Sequence, residues 1–65
     1  MQEMSNPDGV VNKSSAYVGK GNVLYDLKHY EQALEAYEQA FQVDPHSPSA
    51  SYGKGNALRH LALEY

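Results

Sequence analysis

Apolar and small residues in the first half of the chain recur at helical spacing. From Ser14 onward they share one side of a helix at about 100° per residue. The residues on that side are Tyr17, Gly21, Leu24 and, less squarely, Leu27. Ser14 or Ser15 can cap the first free amides of such a helix. The pattern predicts a first helix near residues 14–27.

A second apolar phase starts after a predicted turn at Lys28 and His29. Its members are Tyr30, Ala33, Leu34, Tyr37, Ala40 and Phe41. Pro45 lacks an amide proton and disfavours helix in the residue before it, so the second helix should cover residues 30–43. The opposite side carries only glutamate and glutamine and is typical of a solvated acidic face. Its residues are Glu31, Gln32, Glu35, Glu38, Gln39 and Gln42.

A third helix is predicted over residues 48–64. Ser47 can act as its N-cap, and Pro48 suits the first helical position. Ala62 and Leu63 favour continued helix at the chain end. Residues 1–13 contain the turn-forming stretch Asn-Pro-Asp-Gly and no helical period, which predicts a mobile N-terminal arm.

The sequence repeats itself with a fixed offset. The stretch GKGN occurs at residues 19–22 and again at 53–56, 34 positions later, and leucines on its C-terminal side recur at the same offset. A 34-residue period with helix-turn-helix content is the signature of the tetratricopeptide repeat (TPR), and the chain resembles that family.

The family motif can be followed along residues 14–47. Its aromatic, glycine and large residue in the first helix are matched by Tyr17, Gly21 and Leu24. The motif's small, aromatic, small and proline positions in the second helix are matched by Ala33, Tyr37, Ala40 and Pro45. Lys20 departs from the motif, which has leucine there. The resemblance implies an all-α fold of one antiparallel helix-turn-helix repeat over residues 14–47 and the first helix of a second, incomplete repeat over 48–65.

Small residues let two antiparallel helices approach closely, and larger residues fill the space around that contact to form the core. We expect seven residues to be the most buried: Tyr17, Gly21, Leu24, Ala33, Tyr37, Ala40 and Phe41. A phosphate-binding loop is the competing interpretation of GKGN, but that loop needs a preceding strand and a different glycine spacing. Lys20 and Lys54 fall on the packed side of their helices, so we expect their stems to lie along apolar surface and their ammonium groups to reach water. A Lys20 ion pair with Glu35 or Glu38 is an option there.

Composition narrows the function. Five Lys and Arg against eight Asp and Glu give a formal charge of -3, which provides no basic patch for nucleic acid or an anionic membrane. No cysteine is present, and the three histidines lack a metal-ligand spacing, so we expect no metal or cofactor. No residue set supports catalysis, and we expect a non-enzyme. The chain has no apolar segment of membrane-spanning length and no signal-like start, which favours a cytoplasmic location.

The resemblance implies a protein or peptide partner in a concave groove lined by helices one and three. The predicted contact residues are Val18, Asn22, Tyr25, Asp26, Tyr52, Asn56 and Arg59. A plain solvated face is the alternative interpretation of this stripe.

A second hypothesis is a structural or oligomerisation role. The third helix has no following helix to cover it, and a chain of one and a half repeats is short for independent stability. In isolation, we expect the chain to form a symmetric homodimer through the apolar strip of this helix. The residues of the strip are Leu58, Leu61, Ala62 and Tyr65.

Overall fold

The structure is a computed structural model that describes residues 7–64, with side-chain burial over residues 12–63. It contains three α-helices in these residues: α1 (Pro7–Asp26), α2 (Tyr30–Val43) and α3 (Pro48–Glu64). A short turn reverses the chain between α1 and α2, so they form a helical hairpin, and α3 packs on α2. The predicted all-α fold is confirmed, with no strand in the described part of the chain.

The start of α1 differs from the prediction. The helix begins at Pro7 rather than at residue 14, so residues 7–13 of the predicted arm are helical. Pro7 suits the first helical position, because its missing amide is one that a helix start leaves unpaired. Ser14 is therefore an internal residue, 4% exposed, and the prediction of an N-cap at Ser14 or Ser15 is wrong. Residues 1–6 of the predicted arm lie outside the described residues.

The turn between α1 and α2 is a Schellman motif. Lys28 donates its amide to the Tyr25 carbonyl (2.9 Å), and His29 donates to the Leu24 carbonyl (2.8 Å). Lys28 has a φ of 67°, the left-handed conformation that glycine adopts most easily. The predicted turn at Lys28 and His29 is thus present and is built on a non-glycine residue.

The boundaries of α2 and α3 match the predictions. α2 covers residues 30–43 and α3 covers 48–64. The amide of Ala50 donates to Ser47 Oγ at 3.2 Å, which confirms Ser47 as the N-cap of α3.

α2 lies at the centre of the core, between α1 and α3. The buried residues that belong to or border this core are Val18, Gly21, Tyr30, Ala33, Ala36, Tyr37, Ala40, Ala50, Gly53 and Ala57. Four of the seven residues predicted to be most buried are in that set. Tyr17, Leu24 and Phe41 are only half-buried, because they pack against the edge of the helix contact instead of its centre.

The Tyr37 ring joins all three helices. A Cβ added to Gly21 of α1 would lie 2.6 Å from its Cε1, and one added to Gly53 of α3 would lie 2.4 Å from Cε1. The ring is therefore held between two glycine backbones, and its side chain is 1% exposed. Gly19 and Gly55, the other glycines of the two GKGN stretches, have no such neighbour within 4 Å.

Candidate protein-interaction surface

A concave cavity of about 340 Å³ lies between α1 and the N-terminal end of α3. Its lining exposes polar and apolar surface in similar amounts and combines one face of α1 with the loop and first residues that lead into α3. The lining residues are Ser14, Ser15, Val18, Gly19, Asn22, Asp44, Ser47, Pro48 and Ser49. The concavity coincides with the N-terminal part of the stripe predicted from the sequence.

Asn22 lies in this cavity and is tied to the core. Its Oδ1 accepts a hydrogen bond from the Tyr37 hydroxyl at 2.6 Å. Burial raises the pKa of Tyr37, and the nearby Tyr25 and Asp26 raise it further, so the hydroxyl keeps its proton and remains a donor. The bond fixes the orientation of Asn22, whose side-chain nitrogen remains able to donate to a ligand carbonyl.

Val18 is the most buried of the predicted contact residues. It is 8% exposed and belongs to the hydrophobic core. The core side of α1 is centred on Ser14, Val18 and Gly21. Val18 also lines the cavity, so its role as a contact residue stays a prediction.

Three rings close the end of the hairpin near the α1–α2 turn. His60 of α3 stacks on Tyr30 of α2 with ring centroids 4.7 Å apart and planes at 9°. Tyr25 of α1 meets both rings edge-on, at 5.4 Å from Tyr30 and 5.2 Å from His60. Tyr25 is half-buried, so it contributes to the packing of the helices as well as to the surface.

The remaining predicted contact residues lie on the surface. Asp26, Tyr52 and Arg59 are exposed, Tyr52 to 75%, and Asn56 is half-buried. The structure therefore holds Asn22 through Tyr37 and Tyr25 through Tyr30 and His60, and it leaves Tyr52 and Arg59 exposed to solvent. The sequence reasoning did not assign Asp44 and Ser47 to this surface, although the cap signal at Ser47 was recognised.

The predicted self-association strip is partly exposed. Leu58 is 46% exposed, Ala62 is exposed, and Leu61 is half-buried. Tyr65 lies outside the described residues. The neighbouring Leu63, which the prediction did not include, is 74% exposed.

The two lysines of the GKGN stretches have different surroundings. Lys54 Nζ lies 3.8 Å from Glu38 Oε2 and 5.7 Å from the centre of the Phe41 ring. Lys20 is exposed and forms no ion pair with the described residues, so the pairing considered from the sequence is taken by Lys54 instead. The prediction that these lysines reach the surface along apolar neighbours describes Lys54 well.

Two features are absent from residues 7–64, the part of the chain that the structure describes. No helix among them is long and apolar enough to cross a membrane. No group of three or more His, Cys, Asp and Glu side chains in the same residues is placed to hold a metal ion.

Comparison with known proteins agrees with the helical arrangement. The sequence profile described as "TPR repeat" matches residues 21–59, which is more than half of the chain. A TPR repeat-containing protein of Methanocaldococcus jannaschii is 39% identical over 44 residues, which are 68% of this chain. Those residues span only 8% of the length of that relative. No solved structure matches the chain.

The chain belongs to the TPR repeat family. Proteins of this family are in general interaction modules that bind other proteins, and their repeats are in general not catalytic.

Proposed function

We propose that the chain is a protein-interaction module that holds an extended peptide or a partner helix in the groove between α1 and α3. The observation that carries this proposal is the concave cavity of about 340 Å³ between these two helices. Concave sites with a few fixed polar groups are the usual form of a binding site.

The chemistry of the groove suits a peptide backbone. Asn22 is oriented by its bond to Tyr37, and Asn56 lies one repeat further along on α3. Side-chain amides can donate to a backbone carbonyl and accept from a backbone amide. Tyr52 and Arg59 add exposed contact area of the kinds that are enriched at interfaces. Tyr25 and Asp26 complete the proposed contact set, and Val18 supports it from below.

Selection from a phage-displayed library of random 12-residue peptides tests the proposal. Peptides selected on the whole chain should lose at least about tenfold in affinity with Tyr52→Ala or Asn56→Ala. Gln42→Ala on the acidic side of α2 is the matched control and should leave the affinity unchanged. Amide chemical shifts should change along α1 and α3, and changes confined to Glu31, Glu35 and Glu38 would contradict the assignment.

Self-association through the outer side of α3 is a second candidate function. The exposure of Leu58 and Leu63 and the open space beside Gly55 favour it, since apolar side chains at these positions have no cover from the described residues. Sedimentation equilibrium of the wild type and of Leu58→Glu with Leu61→Glu distinguishes the two cases. A homodimer that dissociates in the double variant is the expected result, and a folded wild-type monomer at high concentration would eliminate this candidate.

A further inference from the structure

The two ends of the Asn22 side-chain amide have different surroundings. Its Oδ1 accepts the hydrogen bond from the Tyr37 hydroxyl at 2.6 Å, while the residue itself is exposed and lines the cavity between α1 and α3. The oxygen is therefore engaged on the core side of α1. The nitrogen, with its two N–H donors, is the end of the amide that is left for a partner.

The Tyr37 hydroxyl is a fixed anchor for this amide. Its ring contacts Gly21 and Gly53 and is 1% exposed, so the hydroxyl has little room to move away from Asn22. Burial raises the pKa of Tyr37, so the hydroxyl keeps its proton. If the Asn22 amide turned over, that proton would have no acceptor among the residues that the structure describes, and an unpaired buried donor is unfavourable.

The charges around the cavity indicate which acceptor suits the Asn22 donor. Among the described residues, Asp44 is the only charged one in the lining, and Asp26 lies one turn beyond Asn22 on α1. Both carboxylates repel an anionic group of a partner, which favours a neutral carbonyl oxygen. The carbonyl oxygens within a helix already accept intrahelical bonds, whereas those of an extended segment are free to accept others.

We propose that Tyr37 positions Asn22 as a donor only, and that the groove thereby selects an extended peptide segment through one of its backbone carbonyl groups. This selection rests on the proposed function of the groove and narrows it, because the body of a partner helix does not present a free carbonyl. Asn56 occupies the repeat-equivalent position on α3 and makes no side-chain hydrogen bond to the described residues. Its amide is free to turn, so Asn56 is the internal comparison.

The test uses a 12-residue peptide selected from the random library on the whole chain. Tyr37→Phe keeps the ring and removes only the hydroxyl, so circular dichroism should show a folded chain. The variant should bind the peptide about fivefold more weakly than the wild type, which is the usual worth of one hydrogen bond. In the background of Asn22→Ala the same change should have no further effect, whereas with Asn56→Ala it should weaken binding by the full factor.

Asn22→Asp separates the two ends of the amide. Its carboxylate can still accept from Tyr37 but has no N–H to donate, so this variant should lose at least as much affinity as Asn22→Ala. On the peptide, each carbonyl oxygen in turn is replaced by sulfur, which is a weaker acceptor. One replacement should weaken binding to the wild type about fivefold and leave binding to Asn22→Ala unchanged. Tyr37→Phe should reduce the same sensitivity, which a purely structural role of the hydroxyl would not alter.

Four results would overturn the role of Tyr37 while leaving the groove as a binding site. Affinity that Tyr37→Phe does not change would be the first, and a full loss from Tyr37→Phe in the background of Asn22→Ala would be the second. Equal affinity of Asn22→Asp and the wild type would mean that the oxygen faces the partner. A peptide without any Asn22-dependent sulfur replacement would mean that the backbone carbonyl is not read, as in a bound helix. If the library yields no binding peptide, the proposed function of the groove fails, and the selection proposed for it fails as well.

Discussion

Gly21→Ala and Gly19→Ala are a matched pair of substitutions two residues apart, on nearly opposite sides of the same helix. Each replaces a glycine inside α1 by alanine, which is worth up to about 1 kcal/mol of helix stability in the absence of other contacts. The two sites differ in what the new methyl group meets. At Gly19 it meets nothing within 4 Å, and at Gly21 it meets the Tyr37 ring.

The steric cost at Gly21 follows from the distances. The added Cβ would lie 2.6 Å from Tyr37 Cε1, and ordinary contact begins near 3.4 Å, so the ring would have to withdraw by about 0.8 Å. Retreat is blocked because Gly53 contacts the same ring and Asn22 holds its hydroxyl at 2.6 Å. Overpacking of this kind costs about 1–3 kcal/mol.

Urea denaturation followed by circular dichroism measures the difference. Gly19→Ala should be more stable than the wild type by up to about 1 kcal/mol, and Gly21→Ala should be less stable than Gly19→Ala by about 1–3 kcal/mol. The helix propensity gain is common to both variants, so the difference between them isolates the clash with Tyr37. Gly21→Leu adds three more carbons to the same space and should abolish the cooperative transition.

A third variant checks the cause. Gly53→Ala presses on the same ring from α3, so its cost should not add to that of Gly21→Ala. If Gly21→Ala gains as much stability as Gly19→Ala, the Tyr37 ring does not lie between the backbones of Gly21 and Gly53, and the packing role given to these two glycines is wrong.

Three other predictions concern single residues outside this pair. Lys28→Gly should raise the free energy of unfolding by about 1 kcal/mol, because Lys28 occupies the left-handed position of the turn with φ 67°, and an unchanged urea midpoint would contradict this. Ser47→Ala should lower the free energy of unfolding by about 1 kcal/mol through loss of the α3 N-cap, whereas Ser49→Ala, at an exposed position, is the control. The pKa of Tyr37 is raised in the folded state. Its contribution to folding stability is therefore complete below the unfolded pKa of about 10 and is lost as the pH rises from there through the folded pKa. The free energy of unfolding of Tyr37→Phe should fall less steeply above pH 10 than that of the wild type.

Much of the fold could be predicted from the sequence because its boundary signals are local. Pro45 ends α2, and Ser47 with Pro48 begins α3, within a few residues of each other. The start of α1 was missed because residues 7–13 lack an apolar period, although Pro7 carries the same positional signal as Pro48.

The residues at the centre of the core were harder to predict than the side of each helix that faces the core. Tyr17 and Val18 are adjacent in sequence and lie about 100° apart around α1, and the periodicity predicted Tyr17 in the core and Val18 in the partner-facing stripe. The structure decides for Val18, because α1 also has to accommodate the start of α3.

The candidate site depends on contacts that a local pattern does not contain. The bond from Tyr37 to Asn22 joins residues 15 positions apart, and the His60 stack on Tyr30 joins α3 to α2. The 34-residue offset was the basis for assigning equivalent residues of α1 and α3 to one stripe, and that assignment stays a prediction.

The position of Tyr37 also sets the width of the groove. α1 and α3 form the two walls of the cavity, and a glycine of each contacts the same aromatic ring. The spacing of the walls therefore depends on the size of that ring. A change in the size of residue 37 would change which ligands fit, with every surface residue left as it is.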